Sequence, residues 1–282
     1  MIAIPYVIAA KRSDRPLAAH YAKQYAAEDL WNRILHRDGH LPPRRMWFVG
    51  GGDFEQIGRR YHDHLVNYAG LRPDSRVLDV GCGIGRMAIP LTTALGSDGS
   101  YDGFDVVDEG IRWCRRNITT KHPNFRFTTI EAQNGVYRPR GRVDAHSLRF
   151  PYEDASFDIV LLASVFTHMQ EAAVAHYLHE IRRVLRPAGR AFVTVFLLDN
   201  VSRLRMATNR AEVIFDVPMG RHAMTAVAHQ PEWAVGLDAA WFYEATAVAG
   251  LALDGEVKPG LWRGETSAVD YQDVVVLQCN AR

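Results

Sequence analysis

The sequence predicts an α/β fold with a mostly parallel sheet and helices on both faces. Three observations carry that prediction. Short apolar segments alternate with helix-length amphipathic ones from Arg76 to Leu198. One of them, FDIVLLASVF, is apolar at nearly every position, as a strand buried on both faces must be. A glycine-rich turn follows the first strand, VLDVGCGIGR. Composition agrees: 282 residues, 48% hydrophobic and 23% charged, supply one sizeable core. A balance of 33 Lys and Arg against 32 Asp and Glu leaves no broad cationic coat for nucleic acid. Cys82, Cys114 and Cys279 are widely spaced and include no CxxC pair, so neither a disulfide scaffold nor structural zinc is expected. The first ten residues are apolar before Lys11 and Arg12, the reverse of a signal peptide, and no stretch approaches the roughly 20 residues of a membrane span. The expectation is a soluble, cytoplasmic protein without a membrane span.

Taken in order, residues 1–70 read as a helical cap. AAHYAKQYAAEDLWNRIL has one apolar side, Pro42 and Pro43 break the chain, and a helix from about Phe54 to Ala69 aligns Ile57, Tyr61, Leu65 and Tyr68. The core, 71–198, begins with the strand RVLDV and the helix RMAIPLTTAL. YDGFDVV is the second strand, EGIRWCRRNITTKH the second helix and FRFTTI the third strand. FDIVLLASVF is the fourth, QEAAVAHYLHEIRRVL a helix ended by Pro187 and Gly189, and GRAFVTVFLL the fifth strand. His176, His179, Glu180 and Arg183 on that helix read as a solvated face. Residues 199–245 break the rhythm and read as a lid inserted before the last strands. Their Met206, Met219, Met224, Phe215, Trp233 and Trp241 form either an apolar wall for a substrate or a local core. Residues 246–282 close the sheet, with DVVVLQC pairing with ALDGEVKPGLW as a hairpin. The whole chain, 1–282, reads as a single domain.

The sharpest signal is the turn after the first strand. Gly81, Gly83 and Gly85 permit unusual backbone angles and the close approach of a ligand at the carboxyl end of the sheet. Asp105 stands twenty residues beyond Gly85, at the end of the second strand, where a carboxylate can accept both hydroxyls of a ribose. A dinucleotide fingerprint requires glycine at the sixth place of GxGxxG, and here that place is Arg86. No GK followed by Ser or Thr exists for a P-loop. Asp79 would repel a pyrophosphate and suits an amino-bearing ligand.

Those motifs resemble class I S-adenosylmethionine-dependent methyltransferases over roughly residues 54 to 198. VLDVGCGIGR resembles the family's first motif and GFDVVDEGI its second. LRFPYEDASFDIVLLASVFTHM is similar to the adenine-side loop and fourth strand, and YLHEIRRVLRPAGRAFVTVF to the helix, turn and fifth strand. The resemblance implies a Rossmann-like, seven-stranded methyltransferase sheet and S-adenosylmethionine as cofactor. It implies that Gly81, Cys82, Gly83 and Gly85 line the methionine end, Asp79 binds the amino group, and Asp105 with Val106 binds the ribose. Glu131, Ala132 and Gln133 would border adenine, and Ala163 and Ser164 the sulfonium. The insertion NGVYRPRGRVDAHS departs from the family's spacing and offers Asp144 and Ala145 as a rival pair for adenine.

Methyl transfer is an in-line displacement, so the protein must mainly align the acceptor with the methyl group. A hydroxyl acceptor often needs a base, and His168, just past the fourth strand, is the candidate; capping the next helix or hydrogen-bonding a loop is the alternative. The region ASVFTH lacks the Asn/Asp-Pro-Pro-aromatic motif of nucleic-acid amino methyltransferases, and no nucleic-acid partner is expected. Asp144 and Asp199 could serve a metal, but no metal is assigned. The FPY, FTHM and YQDV elements are similar to bacterial methyltransferases of small molecules or sugars in natural-product or glycan pathways. The resulting expectation is an O-methyltransferase for a small-molecule or saccharide acceptor, forming a homodimer or higher homo-oligomer. N-methylation of a small amine or nucleoside, and a non-catalytic binding protein of the same fold, are the alternatives.

Overall fold

A computed structural model describes residue 29, residues 41–48 and residues 50–279. The expected amphipathic helix within residues 18–35 lies almost wholly outside these. Six α-helices are described: α1 (Phe54–His64), α2 (Ala88–Ala94), α3 (Asp108–Cys114), α4 (Glu171–Val184), α5 (Asn200–Ala207) and α6 (Ala239–Val248). The strands are β1 (Arg76–Val80), β2 (Ser100–Asp105), β3 (Phe125–Thr129), β4 (Phe157–Leu162), β5 (Leu185–Leu198), β6 (Val217–Pro218), β7 (Ala223–Thr225), β8 (Val235–Asp238), β9 (Leu251–Leu253) and β10 (Asp273–Cys279).

Seven strands run in the order β3-β2-β1-β4-β5-β10-β9. The first five are mutually parallel, and β10 is antiparallel to both β5 and β9. The expected seven strands thus sit within a ten-stranded sheet, because β8 pairs in parallel with the end of β5 and carries the antiparallel β7 and β6. The continuous apolar runs follow from burial on both faces. In β4, Val160 and Leu162 enter one cluster with Val174, Leu178 and Ile181 of α4 and Phe242 of α6. Ile159 and Leu161 enter another with Ile57 and Tyr61 of α1, Leu91 of α2 and Ile111 of α3. A two-residue side-chain period therefore requires an apolar residue at each position.

Several local expectations shift. The fourth strand ends at Leu162 rather than Phe166, because Ser164 takes φ +60° while its N–H donates to Thr194 Oγ1 at 2.8 Å, which turns the chain across the sheet's end. The fifth strand starts at Leu185, directly after α4. Pro187 and Gly189 lie inside it, where the register with β4 shifts between Phe157 and Ile159. The expected second helix divides into α3 and a wider turn at Arg115–Thr119. The solvated face assigned to α4 holds for His179, which is exposed, but is corrected at Glu180, which is buried and accepts from Phe150 N–H at 2.6 Å and Arg183 Nη2 at 2.6 Å. His176 lies within 2.8 Å of the Leu148 carbonyl. The hairpin of β9 with β10 forms as expected, with Leu253 opposite Leu277.

The segment 199–245 contains α5, β6 to β8 and the start of α6. Its Met206 and Phe215 are buried with Phe196, Leu198 and Trp262 in a third cluster, against which Met224 and Trp233 pack. Met219 and Trp241 pack on the first cluster instead. Among the described residues no helix is long and apolar enough to cross a membrane.

Candidate active site

The carboxyl ends of β1, β2, β4 and β5 open into a cavity of about 310 Å³. Its floor is the glycine turn. Gly81 has φ +75°, and a Cβ there would lie 2.7 Å from Val165 Cγ2, so a side chain is excluded on both counts. Gly81 and Cys82 hold the turn against β2 by donating to the Phe104 carbonyl at 2.8 and 3.0 Å. Asp105 Oδ2 accepts from Gly83 N–H and Oδ1 from Val107 N–H, each at 2.8 Å. Each carboxylate oxygen keeps a further lone pair for a diol in the cavity. Burial raises the Asp105 carboxyl above its ordinary range, although these backbone donors pull it down.

Asp79 is buried at the end of β1 and accepts the Tyr101 hydroxyl. Burial pushes its carboxyl up to about 7, against the Tyr101 hydrogen bond, with the nearby Asp105 charge adding to the rise. It is a carboxylate at the edge of ionisation that a cationic group would ionise fully. Burial likewise raises the Cys82 thiol, so the sulfur lines the cavity uncharged.

Of the residues expected at the site, Asp79, Gly81, Cys82, Asp105 and Val106 line the cavity, as do Ala132, Gln133, Ala163, Ser164 and His168. Gly83, Gly85 and Glu131 do not. Gly83 acts through its N–H on Asp105, and Gly85 is pressed against Ile118 and Cys114, where a Cβ would stand 2.8 Å from Ile118 Cδ1. Glu131 is exposed and bound by Arg138 Nη2 at 2.5 Å, while Arg138 Nη1 donates to the Val106 carbonyl at 2.7 Å. The inserted loop thus draws Glu131 away from the cavity wall. Of the rival pair, Ala145 lines the cavity and Asp144 is exposed.

His168 sits in the turn Phe166–His168. Its Nδ1 is 2.9 Å from the Glu232 carbonyl. A carbonyl only accepts, so Nδ1 carries the hydrogen and the neutral ring leaves Nε2 unprotonated. Burial lowers the imidazole's pKa and favours that neutral form. Tyr137 meets the ring edge-on at 5.5 Å, and Glu232 ties the surrounding segments together by accepting from Gly135 N–H at 2.5 Å and Gln170 Nε2 at 3.2 Å.

The rest of the wall includes residues from distant parts of the chain: Arg60 and Tyr61 of α1, Phe196 of β5, and Asp270, Tyr271 and Gln272 before β10. Gln272 Oε1 accepts from both the Ser164 and Thr194 hydroxyls, which fixes the orientation of its amide. No spacing rule marks this group, although Tyr271 and Gln272 lie in the YQDV element. Among the described residues no group of three His, Cys, Asp or Glu side chains could hold a metal.

Comparison with known proteins agrees with this geometry. Residues 77–189 match the family described as "Methyltransferase domain". The chain carries a class I S-adenosylmethionine-dependent methyltransferase domain. The 27-O-demethylrifamycin SV methyltransferase of Amycolatopsis mediterranei is 30% identical over 171 residues, 61% of this chain and 54% of that protein. The ubiquinone/menaquinone biosynthesis C-methyltransferase UbiE of Paraburkholderia phytofirmans is 32% identical over 140 residues, 50% of this chain and 51% of that protein. The chain thus spans about half the length of these relatives. The PH0226 protein of Pyrococcus horikoshii shares the fold, with a TM-score of 0.54 at 17% identity over 89% of this chain and 99% of that one.

The cofactor of this methyltransferase domain is S-adenosylmethionine, and the cavity fits it. The side-chain-free turn at Gly81 would admit a close ligand, Asp105 would have acceptor capacity for a ribose diol, and Asp79 would supply a counter-charge for an amino group. Asp105→Ala is expected to weaken S-adenosylhomocysteine binding by about 1.5–3 kcal/mol, the usual worth of hydrogen bonds to a charged group. Calorimetric titration of the variant measures this, and unchanged affinity would assign the ribose to another acid.

Proposed function

We propose that this chain transfers a methyl group from S-adenosylmethionine to a hydroxyl of a small organic acceptor, a secondary metabolite or saccharide. The observation that carries this reading is His168, which lines the cavity wall and whose ring is held by hydrogen bonds to the backbone of Glu232 and Trp233. The cofactor, when bound, supplies an electrophilic methyl on a sulfonium that is already a good leaving group. The chain supplies the rest. The glycine turn, Asp79 and Asp105 hold the donor, and Phe196, Trp233 and Tyr271 enclose an apolar space for the acceptor. His168 receives the hydroxyl proton at Nε2. In this reading the segment 199–245 is a lid that reaches the cavity through Trp233 and Ala234. The O-methylating activity in the name of the Amycolatopsis relative supports a hydroxyl acceptor, whereas the UbiE relative is a C-methyltransferase.

The test is transfer from carbon-13 methyl-labelled S-adenosylmethionine to a panel of hydroxylated metabolites and their amine analogues. The resonance position of the new methyl separates O-, N- and C-methylation, and a product methylated on nitrogen or carbon would overturn the reading. On an accepted substrate, His168→Gln is expected to lower turnover by about 10²-fold or more with unchanged affinity for S-adenosylhomocysteine. Turnover like that of the unaltered protein would remove His168 from the mechanism.

A further inference from the structure

In and behind the cavity wall, three buried polar atoms converge without completing a hydrogen bond: Arg60 Nε, His64 Nε2 and Asp270 Oδ2. Asp270 Oδ2 lies 3.4 Å from Arg60 Nε and 3.6 Å from His64 Nε2. The other carboxylate oxygen is occupied, accepting from Tyr271 N–H at 2.6 Å and Gln272 N–H at 3.4 Å. Asp270 is only 4% exposed and lines the cavity beside Arg60. His64 is held behind them, its ring stacked on Phe192 at 5.8 Å.

Buried polar atoms are almost always hydrogen-bonded, and each exception calls for an explanation. Three exceptions grouped around Asp270, two of them on residues that line the cavity, are explained by a group that arrives with the ligand. We infer that Arg60 and Asp270, backed by His64, form a subsite for a hydroxyl of the acceptor, an inference that rests on the methyl-transfer reading above. The charges select the group. A carboxylate or phosphate would meet Asp270, and an ammonium would meet Arg60. A neutral hydroxyl donates its hydrogen to Asp270 Oδ2 and accepts one from Arg60 Nε. The neighbouring rings of Tyr61, Phe196 and Tyr271 favour an apolar or aromatic body carrying that hydroxyl. Asp270 is thereby a specificity-determining residue that orients the acceptor.

The test uses the protein saturated with S-adenosylhomocysteine and two probes of similar shape, phenol and fluorobenzene, titrated by NMR. Phenol is expected to bind at least about fivefold more tightly, as one net hydrogen bond provides. Asp270→Asn keeps the oxygen that holds the 270–272 turn and replaces the other with an amide NH₂, so the preference for phenol should vanish while S-adenosylhomocysteine affinity persists. Arg60→Met, at a partly exposed position, should weaken phenol binding in the same direction. Equal affinities in the unaltered protein, no binding of either probe, or a preference that survives Asp270→Asn would overturn the inference and leave the three atoms bridged by water only. Failure of S-adenosylhomocysteine to bind at all would instead overturn the methyl-transfer reading, and this inference with it.

Discussion

Asp79→Asn is expected to stabilise the cofactor-free protein at pH 8 by on the order of 2–4 kcal/mol while weakening its affinity for S-adenosylhomocysteine. The carboxyl is buried, and its pKa is raised from 3.8 to about 7. Between those values the native state holds a proton that the unfolded chain has released, so native stability falls as pH rises through this window. The amide keeps an acceptor for the Tyr101 hydroxyl and carries no charge to bury. It also relieves the neighbouring Asp105 of a like charge. In the proposed binding mode it removes the counter-charge for the cofactor's amino group, a trade of stability against function. Chemical denaturation at pH 5 and pH 8, with and without S-adenosylhomocysteine, measures both effects. A variant less stable than the unaltered protein at pH 8 would show that the charge is not a burden.

Asp273→Ala is expected to destabilise the fold by about 3–5 kcal/mol, because it leaves a buried guanidinium without its principal partner. Asp273 is fully buried and gathers donors from two parts of the chain: Leu197 N–H at 2.8 Å, and from the 260–263 turn Gly260 N–H at 2.8 Å, Trp262 Nε1 at 3.0 Å and Arg263 Nε at 2.6 Å. This acid joins the end of β5 to the 260–263 turn and the start of β10. Burial raises its pKa, against the Arg263 guanidinium and the Leu197 and Gly260 N–H groups that pull it down. Asp199 Oδ2 stays within 2.6 Å of Arg263 Nη1 and limits the loss. Urea unfolding at pH 7 measures the change. A loss below about 1 kcal/mol would mean that Asp199 and water replace the missing acceptor.

What could be read in the sequence was local. Gly81, Gly83 and Asp105 are separated by a strand and a helix of ordinary length, so spacing alone places them together at one end of a parallel sheet. The two-sided burial of β4 was equally legible from its unbroken apolar run. The acceptor wall was not. Arg60 and Asp270 are 210 residues apart, and only the antiparallel return of β10 beside β5 brings the second near the first. Glu131 was expected beside the cavity, but Arg138, only seven residues on in the inserted loop, holds it at the surface, a pairing set by the loop's own conformation and not by strand or helix periodicity. The strands β6 to β8 are two to four residues long, too short for periodicity to mark. Among the sulfur and aromatic side chains of the 199–245 segment, tertiary packing alone separates Trp233, on the cavity, from Met206 and Phe215, in a local core.

The central claim is that the cavity above the glycine turn takes S-adenosylmethionine, and calorimetric titration with S-adenosylhomocysteine tests it most directly. The account predicts one-to-one binding, displaced by S-adenosylmethionine, with no heat from a nicotinamide dinucleotide. Absence of S-adenosylhomocysteine binding, or saturable binding of the dinucleotide in its place, would contradict it.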